Sequence, residues 1–422
     1  MGPSRLQLWM RSVIKRRRAY GLTAKNKVEV SGKAGKRWVA LWGNGDQGRL
    51  GLSESGSQFE PVLCRALESH EPCSVSCGGA HTLILTDKGR VFATGLNSSG
   101  QLGVPLKSES SFDPVEVHGF PDPCVHIAAG RYHSAAITSS GETYVWGRNS
   151  EGQLGLGKRA KSVYITPQKM ESLAGMRLKA LALGTDHSLG LAETGQVLSW
   201  GTNRFGCLGH GEMTGFFDFF KDTNEYTPRI IHCLEKLQVR SVSAGLVHSA
   251  CADDSGTIYS FGQGSMCQLG LGNNNDASQP CPIPDLPRVS SISCGGYHTG
   301  AITQDGDIYT WGSNEHGCLG SGFRASSKPL RLESLAEAFM SEISCGWKHT
   351  AAISDGYIFS WGWGGSYGTY ATQAESSGGQ LGVGTDFDFF EPVPIEMDDR
   401  LSALHVSCGF NHTAAILEEI EI

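Results

Sequence analysis

The sequence lacks any apolar run of the roughly 18 residues that a membrane-spanning helix requires, so a membrane protein of that kind is not expected. Its 13 cysteines include no Cys-x-x-Cys pair, and there is no hydrophobic signal segment. Both absences favour a reduced intracellular compartment over a secreted fold stabilised by disulfide bonds. Glycine is abundant but follows no Gly-X-Y period, which excludes a collagen-like chain.

The composition instead indicates a folded chain of many short strands. It contains 56 glycines in 422 residues, which is about twice ordinary usage. With 39% hydrophobic residues and nine tryptophans, the chain has enough apolar surface to form a core. Length alone would favour two or three domains, but internal repeats override that rule.

Charge is distributed unevenly along the chain. Residues 1–37 contain eleven lysines and arginines and one acid, Glu29, which gives a net charge of +10. The remainder holds 24 basic and 41 acidic residues and therefore has a net charge of −17. Residues 38–422, which we call the body, are therefore far more acidic than proteins that bind mainly by neutralising nucleic-acid phosphates.

The first 20 residues contain no acid and combine a basic with an apolar pattern. On a helix, five apolar side chains would form one stripe, with most of the basic side chains on the other side. This pattern resembles a mitochondrial presequence at residues 1–20, followed by a flexible linker at residues 21–37. A nuclear localisation cluster at residues 15–18 is the alternative. The apolar stripe consists of Leu6, Trp9, Met10, Val13 and Ile14.

The rest of the chain repeats one motif seven times. The first half of the repeat is a small or apolar residue, then Gly-x-x-His, then Ser or Thr, as in Cys294–Thr299. Consecutive copies lie 50 to 63 residues apart. The seven motif histidines are His81, His133, His187, His248, His298, His349 and His412.

The second half of the repeat is an aromatic residue and Gly, followed by Gly-x-Leu-Gly, as in Trp311-Gly312 to Gly320. Between the halves, two β-branched and aromatic runs flank Asp305-Gly306, which predicts a β-hairpin. A third run precedes each Gly-x-x-His motif, and a fourth lies near a proline such as Pro282. Four short antiparallel strands per repeat are typical of one β-propeller blade.

The two ends of the repeat region indicate a closed ring. The first aromatic-Gly strand, at residues 38–42, has no Gly-x-x-His partner before it. The last Gly-x-x-His strand, at residues 412–417, has no aromatic-Gly partner after it. Pairing these two strands would complete a seventh blade and remove its exposed edges. The sequence therefore predicts an all-β fold over residues 38–422: a seven-bladed β-propeller closed by pairing of the N- and C-terminal strands.

These motifs resemble those of the regulator of chromosome condensation repeat family, whose members form seven-bladed propellers. The resemblance covers nearly all of residues 38–417. It implies the fold, whereas function varies from member to member. The glycine-rich insertion after Trp361-Gly362-Trp363 makes the chain most similar to plant mitochondrial members.

The motif histidines occur once per blade, which favours a structural role. We expect each imidazole to be buried and bonded to a backbone group. Cysteine precedes the motif glycine in four repeats, but Ala or Leu takes this position in the others, which indicates apolar packing rather than thiol chemistry.

Two short patterns resemble nucleotide-binding motifs without their structural context. Residues 43–48 match the Gly-x-Gly-x-x-Gly pattern but lead into another glycine-rich turn rather than a helix. Residues 152–158 nearly match a phosphate-binding loop, but Arg159 stands where Ser or Thr would bind magnesium. We therefore assign no catalytic, cofactor-binding or metal-binding residue.

The plant ultraviolet-B photoreceptors of this family carry Gly-Trp-Arg-His-Thr in successive blades, where the tryptophans form a coupled cluster. In this chain only Gly346-Trp347-Lys348-His349-Thr350 resembles that motif. Excitonically coupled tryptophans and photoreception are therefore not expected.

Two long intervals between motif histidines contain aromatic insertions. Insertions project from a blade, so their side chains are candidates for partner binding. Packing of these rings under the propeller rim is the structural alternative, and the neighbouring acids favour a protein partner over RNA. The candidate residues are Phe216, Phe217, Phe219, Phe220, Tyr367, Tyr370, Phe387, Phe389 and Phe390.

The sequence thus predicts a non-enzymatic interaction scaffold in the mitochondrial matrix, monomeric, without a cofactor and not bound to a membrane. The resemblance implies support of organelle RNA maturation, in intron splicing or ribosome biogenesis, through splicing or ribosomal proteins and with indirect RNA contact. The alternative is guanine-nucleotide exchange on a small GTPase, the founding activity of the family, possibly in the nucleus at chromatin.

Overall fold

A computed structural model describes residues 35–173, 175–212, 223–322, 324–365 and 378–420. Within these residues, 28 strands form seven four-stranded antiparallel sheets. Neighbouring sheets pack face to face around a central axis, and the last sheet contacts the first. The predicted seven-bladed β-propeller is confirmed. The predicted presequence at residues 1–20 and most of the predicted linker lie outside the described residues.

Each of blades 1 to 3 uses four consecutive strands, from the axis outwards. Blade 1 contains β3 (Pro72–Cys77), β4 (His81–Thr86), β5 (Val91–Leu96) and β6 (Ser110–Val117). Blade 2 contains β7 (Cys124–Ala129), β8 (His133–Thr138), β9 (Thr143–Arg148) and β10 (Val163–Lys169). Blade 3 contains β11 (Leu178–Leu183), β12 (His187–Ala192), β13 (Val197–Gly201) and β14 (Glu225–Ile230).

Blades 4 to 6 follow the same order. Blade 4 contains β15 (Val239–Ala244), β16 (His248–Asp253), β17 (Ile258–Gly262) and β18 (Ala277–Pro282). Blade 5 contains β19 (Val289–Cys294), β20 (His298–Thr303), β21 (Ile308–Gly312) and β22 (Ser326–Arg331). Blade 6 contains β23 (Met340–Cys345), β24 (His349–Ser354), β25 (Tyr357–Gly362) and β26 (Phe389–Pro394).

Blade 7 joins the two ends of the chain, in the order β27 (Leu401–Cys408), β28 (His412–Glu419), β1 (Arg37–Gly43) and β2 (Gln58–Leu63). Strands β1 and β28 pair antiparallel, with Trp38 opposite Leu417 and Ala40 opposite Ala415. The predicted closure is therefore confirmed, and it turns two would-be edge strands into the middle of a sheet.

Short 3-10 turns are the only helical elements among the described residues, and no helix there is long and apolar enough to cross a membrane. The turn within the Gly-x-Gly-x-x-Gly pattern spans three residues, as the sequence analysis expected of a turn that opens no helix. The turns are Asp46–Gly48, Arg65–Leu67, Glu171–Leu173, Arg204–Gly206, His232–Leu234 and Glu333–Leu335.

The core lies between the blades. The second strand of each of blades 1 to 6, which starts at the motif histidine, is buried at every position because a blade packs on each of its faces. Trp311 of β21 is fully buried, and Gly312 follows it with φ of 112°. A Cβ atom on Gly312 would lie 2.7 Å from the Cα of His298, so only glycine fits between the two halves of the repeat.

A charge introduced at the closing pair should open the ring. Ala40 and Ala415 have no exposed surface, so Ala40→Glu would bury an unpaired carboxylate at a cost of several kcal/mol. We expect a lower urea midpoint for Ala40→Glu, measured by monitoring unfolding through tryptophan fluorescence. Val125→Glu is the matched control, because Val125 lies on a strand but is 59% exposed. Equal effects of the two substitutions would contradict closure through β1 and β28.

Candidate protein-binding face

The seven motif histidines form a ring of hydrogen bonds that crosses every boundary between blades. Each imidazole is fully or almost fully buried. Its Nε2 atom bonds to the Ser or Thr hydroxyl that follows the motif histidine of the next blade. The bonds join His81 to Ser134 (2.9 Å), His133 to Ser188 (3.2 Å), His187 to Ser249 (3.0 Å), His248 to Thr299 (2.9 Å), His298 to Thr350 (2.8 Å), His349 to Thr413 (2.9 Å) and His412 to Thr82 (2.9 Å).

The donor and the acceptor in each of these bonds follow from the second partner of the hydroxyl group. The Thr350 hydroxyl also lies 2.8 Å from the backbone oxygen of Cys318, which can only accept. The hydroxyl therefore donates to this carbonyl and accepts from Nε2–H of His298. The indole of Trp361 donates to the same carbonyl at 2.9 Å. One relay thus links the histidine, the hydroxyl and the tryptophan of the repeat.

This relay keeps the imidazoles neutral. Nδ1 has no hydrogen-bond partner in any of the seven, so a second ring proton would be buried without an acceptor. Burial lowers the pKa of His81 and His349 to about 3 and that of His298 to about 4. The predicted structural role fits this arrangement. The expected backbone partner was wrong, because the acceptor is a side-chain hydroxyl of the neighbouring blade.

Both halves of the repeat present their loops at one end of the propeller, which we call the loop face. The backbone N–H of Arg148, just after Trp146-Gly147, donates to the oxygen of Tyr132 in the Gly-x-x-His loop at 2.9 Å. The N–H of Trp363 donates to the oxygen of Lys348 at the same distance. Hairpin turns such as Asp305-Gly306 lie at the opposite face.

Both long intervals of the sequence fall between the third and fourth strands of a blade, and such loops start at the loop face. The interval in blade 3 separates β13 from β14, and that in blade 6 separates β25 from β26. Of the candidate aromatic residues, Phe216, Phe217, Phe219, Phe220, Tyr367 and Tyr370 lie outside the described residues.

The other three candidates lie at the end of the blade 6 insertion. Phe387 is 64% exposed, between two aspartates. Phe389 and Phe390 are half-buried at the start of β26, where their backbone packs against Gly317 of the preceding blade. Phe387 is therefore the described candidate whose ring is available to a partner.

Three aromatic rings meet near the axis of the loop face. The rings of Trp347 and Phe410 stack, with centroids 5.8 Å apart and an interplanar angle of 26°. Trp363 meets Trp347 edge-on at 5.9 Å. Sequence reasoning, which expected no excitonically coupled tryptophans, did not foresee this contact. Comparing only the two residues before each histidine missed Trp363, because it belongs to the other half of the repeat.

Two arginines continue this surface on the other side of blade 1. The guanidinium carbon of Arg131 lies 5.0 Å from the ring centroid of Tyr132 and 5.7 Å from that of Phe410. Arg148 lies 5.7 Å from the centroid of Tyr132. These distances are within cation–π range. Sequence reasoning did not select these residues, although the variable pair between Gly and His was the signal that could have found Arg131 and Tyr132.

The Asp186 carboxylate interacts electrostatically with both arginines. Burial raises the pKa of Asp186 above its usual value, while Arg148, Arg131 and Arg204 act in the opposite direction. Its carboxylate accepts a hydrogen bond from Gln153 at 3.1 Å. One half-buried carboxylate therefore faces three guanidinium groups.

An axial channel opens between the Gly-x-x-His loops, lined by motif glycines and by the residues that precede them. Burial raises the pKa of the lining thiol of Cys294 to about 12 and also raises that of Cys345. The thiols are therefore protonated, and the part of the channel wall that they form is uncharged. The described residues contain no group of three or more metal-ligating side chains.

A closed ring of seven Gly-x-x-His blades, in which both long intervals start at the loop face, defines a repeat propeller. Residues 38–415 match the model of the RCC1-like domain, and the chain belongs to this family. The resemblance to the regulator of chromosome condensation repeat family is thereby confirmed.

Individual relatives share the propeller but differ in function. The chain is 32% identical to the ultraviolet-B receptor of Arabidopsis thaliana, covering 90% of this chain and 70% of the receptor. It is 33% identical to the bovine secretion-regulating guanine nucleotide exchange factor, covering 88% and 70%. Prp20p of Saccharomyces cerevisiae has the same fold, with a TM-score of 0.79 at 24% identity over 92% of this chain and 93% of that one.

Removing one hydroxyl of the ring should destabilise the fold. Thr350→Val keeps the shape of the side chain but leaves Nε2–H of His298 without an acceptor, which should cost about 1–3 kcal/mol. We expect this loss in the free energy of unfolding measured with urea. Thr227→Val at an exposed strand position is the control and should change little. A neutral Thr350→Val would show that the relay contributes nothing to stability.

Acid should weaken the propeller through the same histidines. Their folded pKa values lie well below the unfolded value of about 6.5, so the unfolded chain binds more protons below that pH. The stabilisation is present above pH 6.5 and is lost as the pH falls towards 4, by about 1.4 kcal/mol per pH unit for each histidine.

His405 acts in the opposite sense. Burial alone would lower its pKa, but the hydrogen bond to Glu342, the charge of Glu342 and the bond to the Val75 oxygen together raise it. Seven ring histidines outweigh this one residue. We therefore expect the urea midpoint to fall steeply from pH 7 to pH 5, with uptake of several protons on unfolding in calorimetry. An unchanged midpoint over this range would contradict the neutral, buried ring.

Proposed function

We propose that this protein is a non-catalytic platform that binds protein partners through the loop face. The proposal rests on one observation. The two long intervals, in blades 3 and 6, both start at the loop face, which also carries exposed aromatic and arginine side chains. Loops held by a rigid propeller are suited to recognition because the scaffold fixes their ends.

We further propose that the platform acts in the mitochondrial matrix in organelle RNA maturation, either in intron splicing or in ribosome biogenesis. The acid-free, amphipathic start of the chain supports import, and the resemblance to plant mitochondrial members supports the process. RNA contact is indirect in this proposal, because the body carries a net charge of −17. The chain holds splicing or ribosomal proteins together.

Affinity purification from isolated mitochondria tests the platform. Strand β28 runs from the loop face to the opposite face, so a C-terminal tag leaves the loop face free. We expect the tagged chain to retain RNA-processing proteins after ribonuclease treatment. Phe387→Ser should reduce their recovery several-fold. Phe339→Ser is the matched control, because this ring is 54% exposed at the opposite face.

Equal recovery with both variants would contradict binding through the loop face. Absence of the tagged chain from purified mitochondria would overturn the localisation. Loss of all partners on ribonuclease treatment would overturn the indirect role of RNA.

Guanine-nucleotide exchange on a small GTPase, possibly at chromatin, is the second candidate. It is favoured by the 33% identity to a secretion-regulating exchange factor and by the fold shared with Prp20p, a protein studied for its binding to Gsp1p and histones. Release of a fluorescent guanine nucleotide from nuclear and organelle GTPases distinguishes the candidates. Acceleration by the purified chain would favour exchange over the platform.

A further inference from the structure

We propose that the centre of the loop face binds an extended acidic segment of a partner protein, in which carboxylates flank an apolar side chain. This inference rests on the proposed platform function and names the chemistry of its partner. The binding surface, which we call the arc, consists of Arg148, Tyr132, Arg131, Phe410, Trp347 and Lys348.

The arc is continuous although it spans blades 2, 1, 7 and 6. Blade 1 contributes no side chain where the arc crosses it, because Gly79 occupies that position. A Cβ atom on Gly79 would lie 2.6 Å from the backbone oxygen of Arg131 and 3.1 Å from its Cγ. Glycine therefore allows Arg131 to pass over blade 1 and reach the Phe410 ring.

Positive charge lies at both ends of the arc, with aromatic rings between. Arg131 and Arg148 form one end, and Lys348 forms the other, 5.2 Å from the Trp347 centroid. Lys348 is already paired with the exposed Glu315 at 3.6 Å, so the two arginines supply most of the charge open to a partner. All six side chains are half-exposed. This order matches a segment with acidic residues on either side of an apolar one.

The arginines of the arc lack a carboxylate partner within ion-pair distance in the described part of the chain, whereas Arg90, Arg331 and Arg400 are each paired with an acid. The pairs are Arg90 with Glu116, Arg331 with Asp307 and Arg400 with Asp398. Asp186 interacts with Arg131 and Arg148 only at longer range, and Arg148 Nε donates to the Ser150 hydroxyl at 2.8 Å. The other guanidinium N–H groups of Arg131 and Arg148 are left for an external carboxylate, which arginine can bind in a bidentate manner.

The arrangement of the rings favours a protein segment over single-stranded RNA. Bases bind such surfaces by stacking on free aromatic faces. Here two guanidinium groups cover Tyr132, and the Trp347 and Phe410 rings cover one another. What the arc offers is therefore cationic hydrogen-bond donors and ring edges, which suit carboxylates.

The axial channel provides the place for the apolar side chain. Its mouth lies within the arc and is lined by Gly130, Arg131, Leu246, Trp347 and Phe410. The wall beneath is uncharged because its thiols are protonated. Of the lining side chains, Arg131 and the Thr185 hydroxyl can donate to a carboxylate, whereas an apolar group seated among the motif glycines and thiols would be removed from water.

The test uses a fluorescein-labelled heptapeptide with three acidic residues on each side of one phenylalanine, titrated with the full chain. We expect saturable binding that weakens with salt, and none for the peptide with amides in place of its carboxylates. Arg131→Gln with Arg148→Gln should weaken binding by about tenfold or more.

The matched control is Arg240→Gln with Arg288→Gln, which removes the same charge from exposed positions at the opposite face. It should change binding less than twofold, and circular dichroism should show both double variants folded. Three results would overturn the proposal: unchanged peptide binding by the arc variant, tighter binding of a twelve-nucleotide oligouridylate at the arc, or self-association that the arc substitutions abolish.

Capture from mitochondria separates this inference from the platform proposal. If the arc variant retains the partners that Phe387→Ser loses, the arc proposal fails while the platform stands. If the wild-type chain captures no protein, the platform itself fails. Loss of partners with the arc variant, but not with the Arg240 and Arg288 control, supports both.

Discussion

The hydrogen bond from each motif histidine to the hydroxyl of the next blade is the interaction on which the rest of the structure depends. A blade cannot bury its faces alone, and the relay from imidazole to hydroxyl to backbone carbonyl fixes how each blade meets its neighbour. The last of these bonds, from His412 to Thr82, exists only because the ring closes. Closure and register between blades are therefore stabilised by one repeated contact.

This scaffold also explains why the loop face can vary. The motif histidine and hydroxyl bond to each other inside the protein, so the side chains of the two residues between Gly and His take no part in this relay. In blade 2 these are Arg131 and Tyr132, and in blade 6 they are Trp347 and Lys348. Members of one family can therefore share the propeller while their loop faces recognise different partners.

Sequence reasoning succeeded where the signal repeats and failed where contacts cross between repeats. Strand β19 and the Asp305-Gly306 turn lie where the periodic pattern placed them. The partner of His298 was missed because Thr350 is distant in the chain and meets it only across a blade boundary. The contact of Arg131 with Phe410 was missed for the same reason, since it joins two blades across the glycine of a third.

The amino-acid sequence alone determined the number of blades, the order of their strands and the closing pair, because these follow from local periodicity and from the unmatched motif halves at the two ends. Only the tertiary structure decided which loops share a face, which side chains gather around the axis and which arginines lack an acidic partner. Such contacts depend on the stacking of whole blades, and no spacing along the chain encodes the distance between two side chains on different blades.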